Sequence, residues 1–400
     1  GCSVKLAVKK ADFESLLSRA TRATDSKSAL AVLSHVALVA TGRELRAMGT
    51  DLYVGFTGAA EAVIEQDGAC LVPANELLSR VQSMPDGPIS IETVQNKLRV
   101  AAKSRKHLLP TLPPESYPRF DKQHVSPSEF SVTARDFKAG LDRVYRVVDP
   151  KGAAHLTGVH VWIEKGRIFF GGFSSHRCHI ASFASEAPEM CDRNTILPLA
   201  AVEDLRAMLG MVAADSVVEV MCSETLVEVR DASGAHTSIT PIYYDTAPFF
   251  RLVQTILHEP KHPVQVPRAL AAEVVKAIGG SDESGGVDLI FRAGRMYVES
   301  HGADGRHSQD EVPVDYDGPE RKITILSKYV EQMLSAAPSD FVTVEPRYYA
   351  EGFDPFVKGA DLRGASRDAS MLQGGLPEVL VFRAGDFAGN LMPMMPGKKS

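Results

Sequence analysis

The 400-residue chain has one tryptophan, Trp162, and five cysteines, Cys2, Cys70, Cys178, Cys191 and Cys222, with no C-x-x-C pair among them. An odd, scattered set of thiols excludes a disulfide framework and fits the reducing cytoplasm. No eighteen-residue apolar run occurs, so no membrane span and no membrane partner are expected. No charged start leads into an apolar segment, so no secretory signal is expected. The opening Gly1-Cys2-Ser3 reads as a tag remnant in place of an initiator Met; Lys5 stands where an acylation signal needs Ser or Thr. The chain lacks G-x-x-x-x-G-K-[ST], a strand–G-x-G-x-x-G–helix unit, G-x-S-x-G and H-E-x-x-H, so nucleotide-binding and hydrolase chemistry find no support. His176-Arg177-Cys178-His179 alternates faces if it is a strand, and no second Cys/His cluster completes a ligand set. No metal and no cofactor are expected. A net charge of −6 excludes a surface coated for nucleic acid.

What is present is a long internal repeat in an ordinary globular composition, 44% hydrophobic and 24% charged. Three segments open with a helical apolar period: Ala11–Ala20, Arg135–Val144 and Arg268–Ala277. Each leads to a hairpin pattern around a Gly-Arg turn, at Gly42-Arg43, Gly166-Arg167 and Gly294-Arg295. Each then carries a second helix and a strand: Val72–Leu78 then Ile89–Glu92, Leu197–Glu203 then Val217–Val220, Leu326–Glu331 then Val342–Val344. Proline-rich punctuation at Pro110–Pro118 and Glu259–Pro263 sets three expected domains, 1–125, 126–258 and 259–400. The stretch Tyr348–Gly375, rich in Gly, Asp and Arg, reads as a long loop.

The repeats resemble the bacterial DNA polymerase III β-subunit family, the sliding clamps. The likeness is carried by Leu30-Ala31-Val32-Leu33-Ser34-His35-Val36, Gly49-Thr50-Asp51-Leu52, Val72-Pro73-Ala74, Met84-Pro85-Asp86-Gly87, Thr111-Leu112-Pro113 and the terminal Leu391-Met392-Pro393-Met394. The resemblance implies an α+β chain of three clamp-fold domains, with helices lining a ring and antiparallel sheets outside. Two copies would join head to tail. It further implies a non-catalytic processivity subunit that encircles duplex DNA without reading its sequence. Its partners would be the DNA polymerase alpha subunit, the clamp loader and repair proteins, each bound through a short peptide motif.

The resemblance also assigns residues. Arg19, Arg22, Lys27, Arg143, Arg146 and Lys151 match or neighbour the family's DNA-facing positions, although Asp149-Pro150-Lys151-Gly152 departs from the family's loop. Phe173, Ser175, His176, Arg177, Cys178, Pro248, Leu252, Val253, Leu391, Met392, Pro393 and Met394 match the partner-peptide pocket. There His176 and Arg177 keep the family pattern, while the family's Thr, Gly and Leu are replaced. The chain also runs past the terminal motif to Ser400. These departures open an alternative: a specialised second clamp serving repair, inhibitor resistance or a mobile element. Lys103, Arg105, Lys106 and Leu108 match one side of the family's dimer contact, and Ile278, Asp310 and Glu311 the other.

The charge supports the resemblance when it is divided. The first helices of the three repeats, taken as 10–23, 134–148 and 267–279, hold nine basic and five acidic residues inside an acidic chain. Local basic surface in an acidic body suits sequence-blind phosphate contact.

Overall fold

The computed structural model describes residues 4–118, 124, 127–164, 166–185, 190–242, 262–279, 285–302, 305–348 and 378–391. Among them are six α-helices: α1 (Lys10–Arg22), α2 (Ala74–Gln82), α3 (Ala134–Val144), α4 (Leu199–Leu209), α5 (Arg268–Gly279) and α6 (Ser327–Ala336). They fall in pairs, two to a repeat, where the periodicity places them. In α1 the buried residues Phe13, Leu16, Leu17 and Ala20 recur at i, i+3, i+4 and i+7, which is why this segment is a helix with one apolar face. Asp12 in its first turn and Arg19 and Arg22 in its last complement the helix dipole.

Each first helix leads to a hairpin: His35–Thr41 with Glu44–Thr50, Gly158–Glu164 with Arg167–Ser174, and Gly286–Arg292 with Arg295–His301. The closing pairs are Thr41–Glu44, Glu164–Arg167 and Arg292–Arg295, which leaves two-residue turns. Gly42, Gly166 and Gly294 take φ of +65°, +69° and +71° there, a region that only glycine enters without strain. A second use of glycine recurs in the first two repeats. A Cβ on Gly49 would strike the Ala20 carbonyl oxygen, and one on Gly172 the Val144 carbonyl oxygen. In both places a strand is thereby seated against the last turn of a first helix.

The strands form three antiparallel sheets. The twelve-stranded sheet runs from an edge at Arg105–Pro110 through Lys97–Ala102, Pro88–Val94, Lys5–Lys9 and Val54–Gln66. It continues through His236–Ile239, Val227–Arg230 and Val217–Cys222 to Ser128–Thr133. Its two repeats are joined by backbone pairing from Val54–Ile239 to Thr57–His236. The eight-stranded sheet runs Met190–Pro198, Gly158–Glu164, Arg167–Ser174, Arg177–Ala184, Phe387–Leu391, Glu378–Ala384, Phe341–Tyr348, Val264–Pro267. Here the second and third repeats are joined from Arg177–Leu391 to Ala181–Phe387. The four-stranded sheet is His307–Pro313, Arg295–His301, Gly286–Arg292, Arg321–Leu326.

The chain divides into two compact units. One holds Gly1–Lys138, Ser185–Cys191 and Ala200–Ile242; the other holds Ala139–Ala184, Asp192–Leu199 and Tyr243–Ser400. The second repeat of the sequence therefore contributes to both. In the first unit Phe13, Leu17, Phe56 and Leu77 are fully buried; in the second Phe170, Phe173, Phe291, Phe382 and Phe387 are. Tyr348 closes a strand, and residues 349–375 of the expected long loop lie outside the described residues. Among the described residues, no helix is long and apolar enough to cross a membrane.

Candidate functional site

The six basic residues assigned to DNA fall into three pairs spaced by 124 positions: Arg19 and Arg143, Arg22 and Arg146, Lys27 and Lys151. Arg19 is only 13% exposed. Its Nη1 meets Asp231 Oδ2 at 2.6 Å, and its guanidinium lies 4.6 Å from the Phe56 ring centre. Burial alone would push the Asp231 carboxyl up, but the Ser233 hydroxyl and the Arg19 charge together hold it below its usual value. Arg143 lies over the Phe183 ring at 5.0 Å.

Arg22 is more open, with Nη1 3.7 Å from Asp204 Oδ1. Burial raises the Asp204 carboxyl to about 6, against the pull of Arg22. Arg146 is exposed, with Nε donating to the Tyr145 hydroxyl at 3.1 Å. Lys27 and Lys151 are exposed on matching turns: the Lys27 amide donates to Asp25 Oδ1 at 2.9 Å and the Lys151 amide to Asp149 Oδ1 at 3.0 Å. An Asp side chain that accepts from the amide two residues on is an Asx turn, and it fixes the backbone that presents each lysine.

Of the pocket residues, Phe173, Ser175, His176, Arg177, Cys178 and Leu391 are described. Pro248, Leu252, Val253, Met392, Pro393 and Met394 lie outside the described residues. Phe173 and Cys178 are cross-strand partners and Arg177 pairs with Leu391, so four of the described six share one stretch of sheet. Ser175 and His176 form the exposed turn above it. Phe173, Cys178 and Leu391 are buried, and desolvation drives the Cys178 thiol well up, away from reactivity.

Arg177 is the organising side chain. Its Nη1 donates to Gln332 Oε1, its Nη2 donates to the Arg146 carbonyl at 3.0 Å, and its guanidinium lies 4.2 Å from the Tyr329 ring centre. Burial lowers its basicity while Tyr329 opposes that. Tyr329 and Gln332 belong to α6, and the sequence alone did not single them out. The available signal was their position in the third repeat's second helix, one turn apart on one face.

Beneath this stretch His179 is fully buried between Phe382 and Phe387, each 5.2 Å away, with Nδ1 3.2 Å from the Arg143 carbonyl. Burial pushes its basicity down to about 3, so the ring is neutral and Nδ1–H donates to Arg143.

Both halves of the expected dimer contact include a sheet edge. Arg105, Lys106 and Leu108 lie on Arg105–Pro110, the edge of the twelve-stranded sheet; all three are exposed, Leu108 by 58%. Lys103 occupies the turn before it with φ +52°. Asp310 and Glu311 are exposed on His307–Pro313, the edge of the four-stranded sheet, and Glu311 pairs with Arg295. Ile278 is instead 7% exposed, on the buried face of α5, the helix that packs against that strand.

Paired helices packed on antiparallel sheets, repeated along the chain, are the arrangement of the DNA-clamp fold. Residues 4–121 match the family model for the DNA polymerase III beta subunit, N-terminal domain. A beta sliding clamp from Pseudomonas aeruginosa is 23% identical over 323 residues, covering 80% of this chain and 86% of that protein. The beta sliding clamp homolog GriR of Streptomyces muensis is 32% identical over 91 residues, 23% of this chain and 24% of that protein. A crystal structure of the DNA polymerase III subunit beta from Pseudomonas aeruginosa matches with a TM-score of 0.82 at 19% identity, covering 98% of this chain and 100% of that one. Residues 4–121 thus match the N-terminal domain of the DNA polymerase III beta subunit, and over four fifths of its length the chain is similar to bacterial beta sliding clamps, from which it diverges widely in sequence.

Proposed function

We propose that two copies of this chain close head to tail into a ring around duplex DNA and tether the replicative polymerase to it. The three repeats, 1–125, 126–258 and 259–400, would each serve as one clamp domain. The observation that carries this reading is the pair of sheet edges, one bearing Arg105 and Lys106 beside exposed Leu108, the other Asp310 and Glu311. An unpaired edge is a template for another strand, and opposite charge on two different edges favours a heterologous contact that can close. Arg22, Lys27, Arg146 and Lys151 would meet phosphates, with Arg19 and Arg143 supporting them from behind. The chain itself would catalyse nothing and would act in the cytoplasm; its contribution is the raised effective concentration of polymerase at the template. A peptide motif from the polymerase alpha subunit, the loader or repair proteins would lie along Arg177, Leu391 and the terminal Met-Pro-Met.

Light scattering on the purified protein should give the mass of two chains. Protein loaded on nicked circular DNA should stay through gel filtration and run off once the circle is cut. A monomer, or retention indifferent to linearisation, overturns the ring. A second reading, a specialised clamp copy, is favoured by Phe173, Ser175 and Cys178 standing where the family pattern differs. Weak binding of an ordinary clamp-binding peptide by an intact ring would select it.

A further inference from the structure

The strand Arg295–His301 carries Glu299 and His301 two residues apart, and side chains at that spacing share a sheet face. His307 stands directly opposite His301 on the neighbouring strand, so all three emerge on the same face. The two imidazoles stack with ring centres 4.6 Å apart and planes inclined by 20°. Glu299 Oε2 lies 3.5 Å from His301 Nε2 and 4.0 Å from His307 Nε2, and one donor atom from each residue falls within 4.8 Å of the other two. Around a tetrahedral ion with bonds of about 2.0–2.1 Å, neighbouring donors sit roughly 3.3 Å apart. Small side-chain rotations would close the difference, because His301 and His307 are both exposed.

We propose that Glu299, His301 and His307 bind a divalent transition-metal ion of the zinc type. Two imidazole nitrogens and one carboxylate oxygen suit zinc, nickel or copper, whereas magnesium and calcium take oxygen ligands. Three protein ligands leave one position for water. Asp288 adds negative charge beside the site: its Oδ2 is 3.7 Å from His301 Nε2, and it is held by Lys322 at 2.7 Å and by the Thr324 hydroxyl at 2.5 Å. The ion would fasten the start of the edge strand His307–Pro313 to its neighbour, tying the four-stranded sheet at the edge that carries Asp310 and Glu311. The site stands whether or not the chain forms a ring.

The test uses the full-length protein stripped with a chelator. Zinc titrated against a chromophoric competitor should bind at one ion per chain. His301→Ala and His307→Ala should each weaken that binding at least tenfold, and Glu299→Gln by less. Magnesium should not compete. Zinc should raise the unfolding temperature of the parent and leave the double variant His301→Ala/His307→Ala unmoved, with both proteins unfolding alike in chelator. Cobalt should give a visible spectrum without a sulfur charge-transfer band. Absence of stoichiometric zinc binding, undiminished affinity in the double variant, or a thiolate band placing the ion on cysteine would each overturn the site.

Discussion

The ends of α1 and α3 carry arginines at matching places and use them differently. At the inner place, Arg19 is enclosed with Asp231 and Phe56, while Arg143 covers the face of Phe183. At the outer place, Arg22 looks across 3.7 Å to Asp204, while Arg146 is braced by the Tyr145 hydroxyl. Position in the repeat therefore separates a structural arginine from an available one. The first repeat anchors its inner arginine with charge, the second with an aromatic ring. The second also ties the helix end from below through His179, where the strand register of the first places Phe56.

The largest expected effect breaks that last contrast. His179 is neutral in the fold, and its folded value near 3 lies below the ordinary histidine value. The unfolded chain therefore binds the extra proton first. The His179 contribution is complete above about pH 6.5 and is lost as pH falls toward 3, by an amount on the order of 4 kcal/mol at the acid end. Denaturant unfolding at several pH values should show this fall, and His179→Gln should flatten it. An unchanged acid limb in the variant would remove His179 from the comparison.

The next effect separates the inner pair. Arg19→Ala leaves the Asp231 carboxylate enclosed without its partner and should cost about 3 kcal/mol. Arg143→Ala removes a guanidinium from the Phe183 face and should cost less, about 1 kcal/mol. Equal losses on denaturant titration would erase the distinction between charge and ring. Smaller in stability, and read on DNA instead, are Arg22→Ala and Arg146→Ala. Each should lower the slope of log affinity against log salt by about one while changing stability by less than about 0.5 kcal/mol. The smallest effect sharpens the outer pair. Asp204→Asn frees Arg22 of its counter-charge and should strengthen DNA binding slightly. Its folded value near 6 lies above the usual carboxylate range, so the folded state takes up the proton first. Wild-type stability from this group therefore rises as pH falls through about 6, and the variant should lack that rise.

The sequence made local structure legible. Helical spacing placed the first helices and the segment pattern after each hairpin the second, giving the six helices of the described residues, and the three Gly-Arg turns placed the hairpins, because these signals lie within a few neighbouring residues. Partners distant in sequence were not legible. Nothing near Arg19 announces Asp231, and nothing near Val54 announces pairing with Ile239; both contacts exist only once the sheet is continuous between repeats. The pocket was reached through resemblance, which named Arg177 but not Tyr329 or Gln332, since a stacking partner on another element leaves no local pattern. The Glu299–His301–His307 group was missed for a similar reason. Glu-x-His followed by a glycine-bearing turn and His becomes a ligand set only when the hairpin register puts His307 opposite His301. Ile278 reads as an apolar contact in sequence and is part of the buried face of its helix.

The pairing of Arg177–Ala184 with Phe387–Leu391 also governs how the chain comes off the ribosome. The two strands are over two hundred residues apart, and the later one spans Phe387–Leu391. During N-to-C synthesis at about 5–20 residues per second, the strand bearing Arg177 and Cys178 waits many seconds with one edge unmatched. A chain that stops early never fills that edge. It presents an open strand rather than a finished binding surface, a form that chaperones and proteases recognise and that a polymerase peptide would not. The proposed peptide surface would thus not exist until this late strand has joined the sheet.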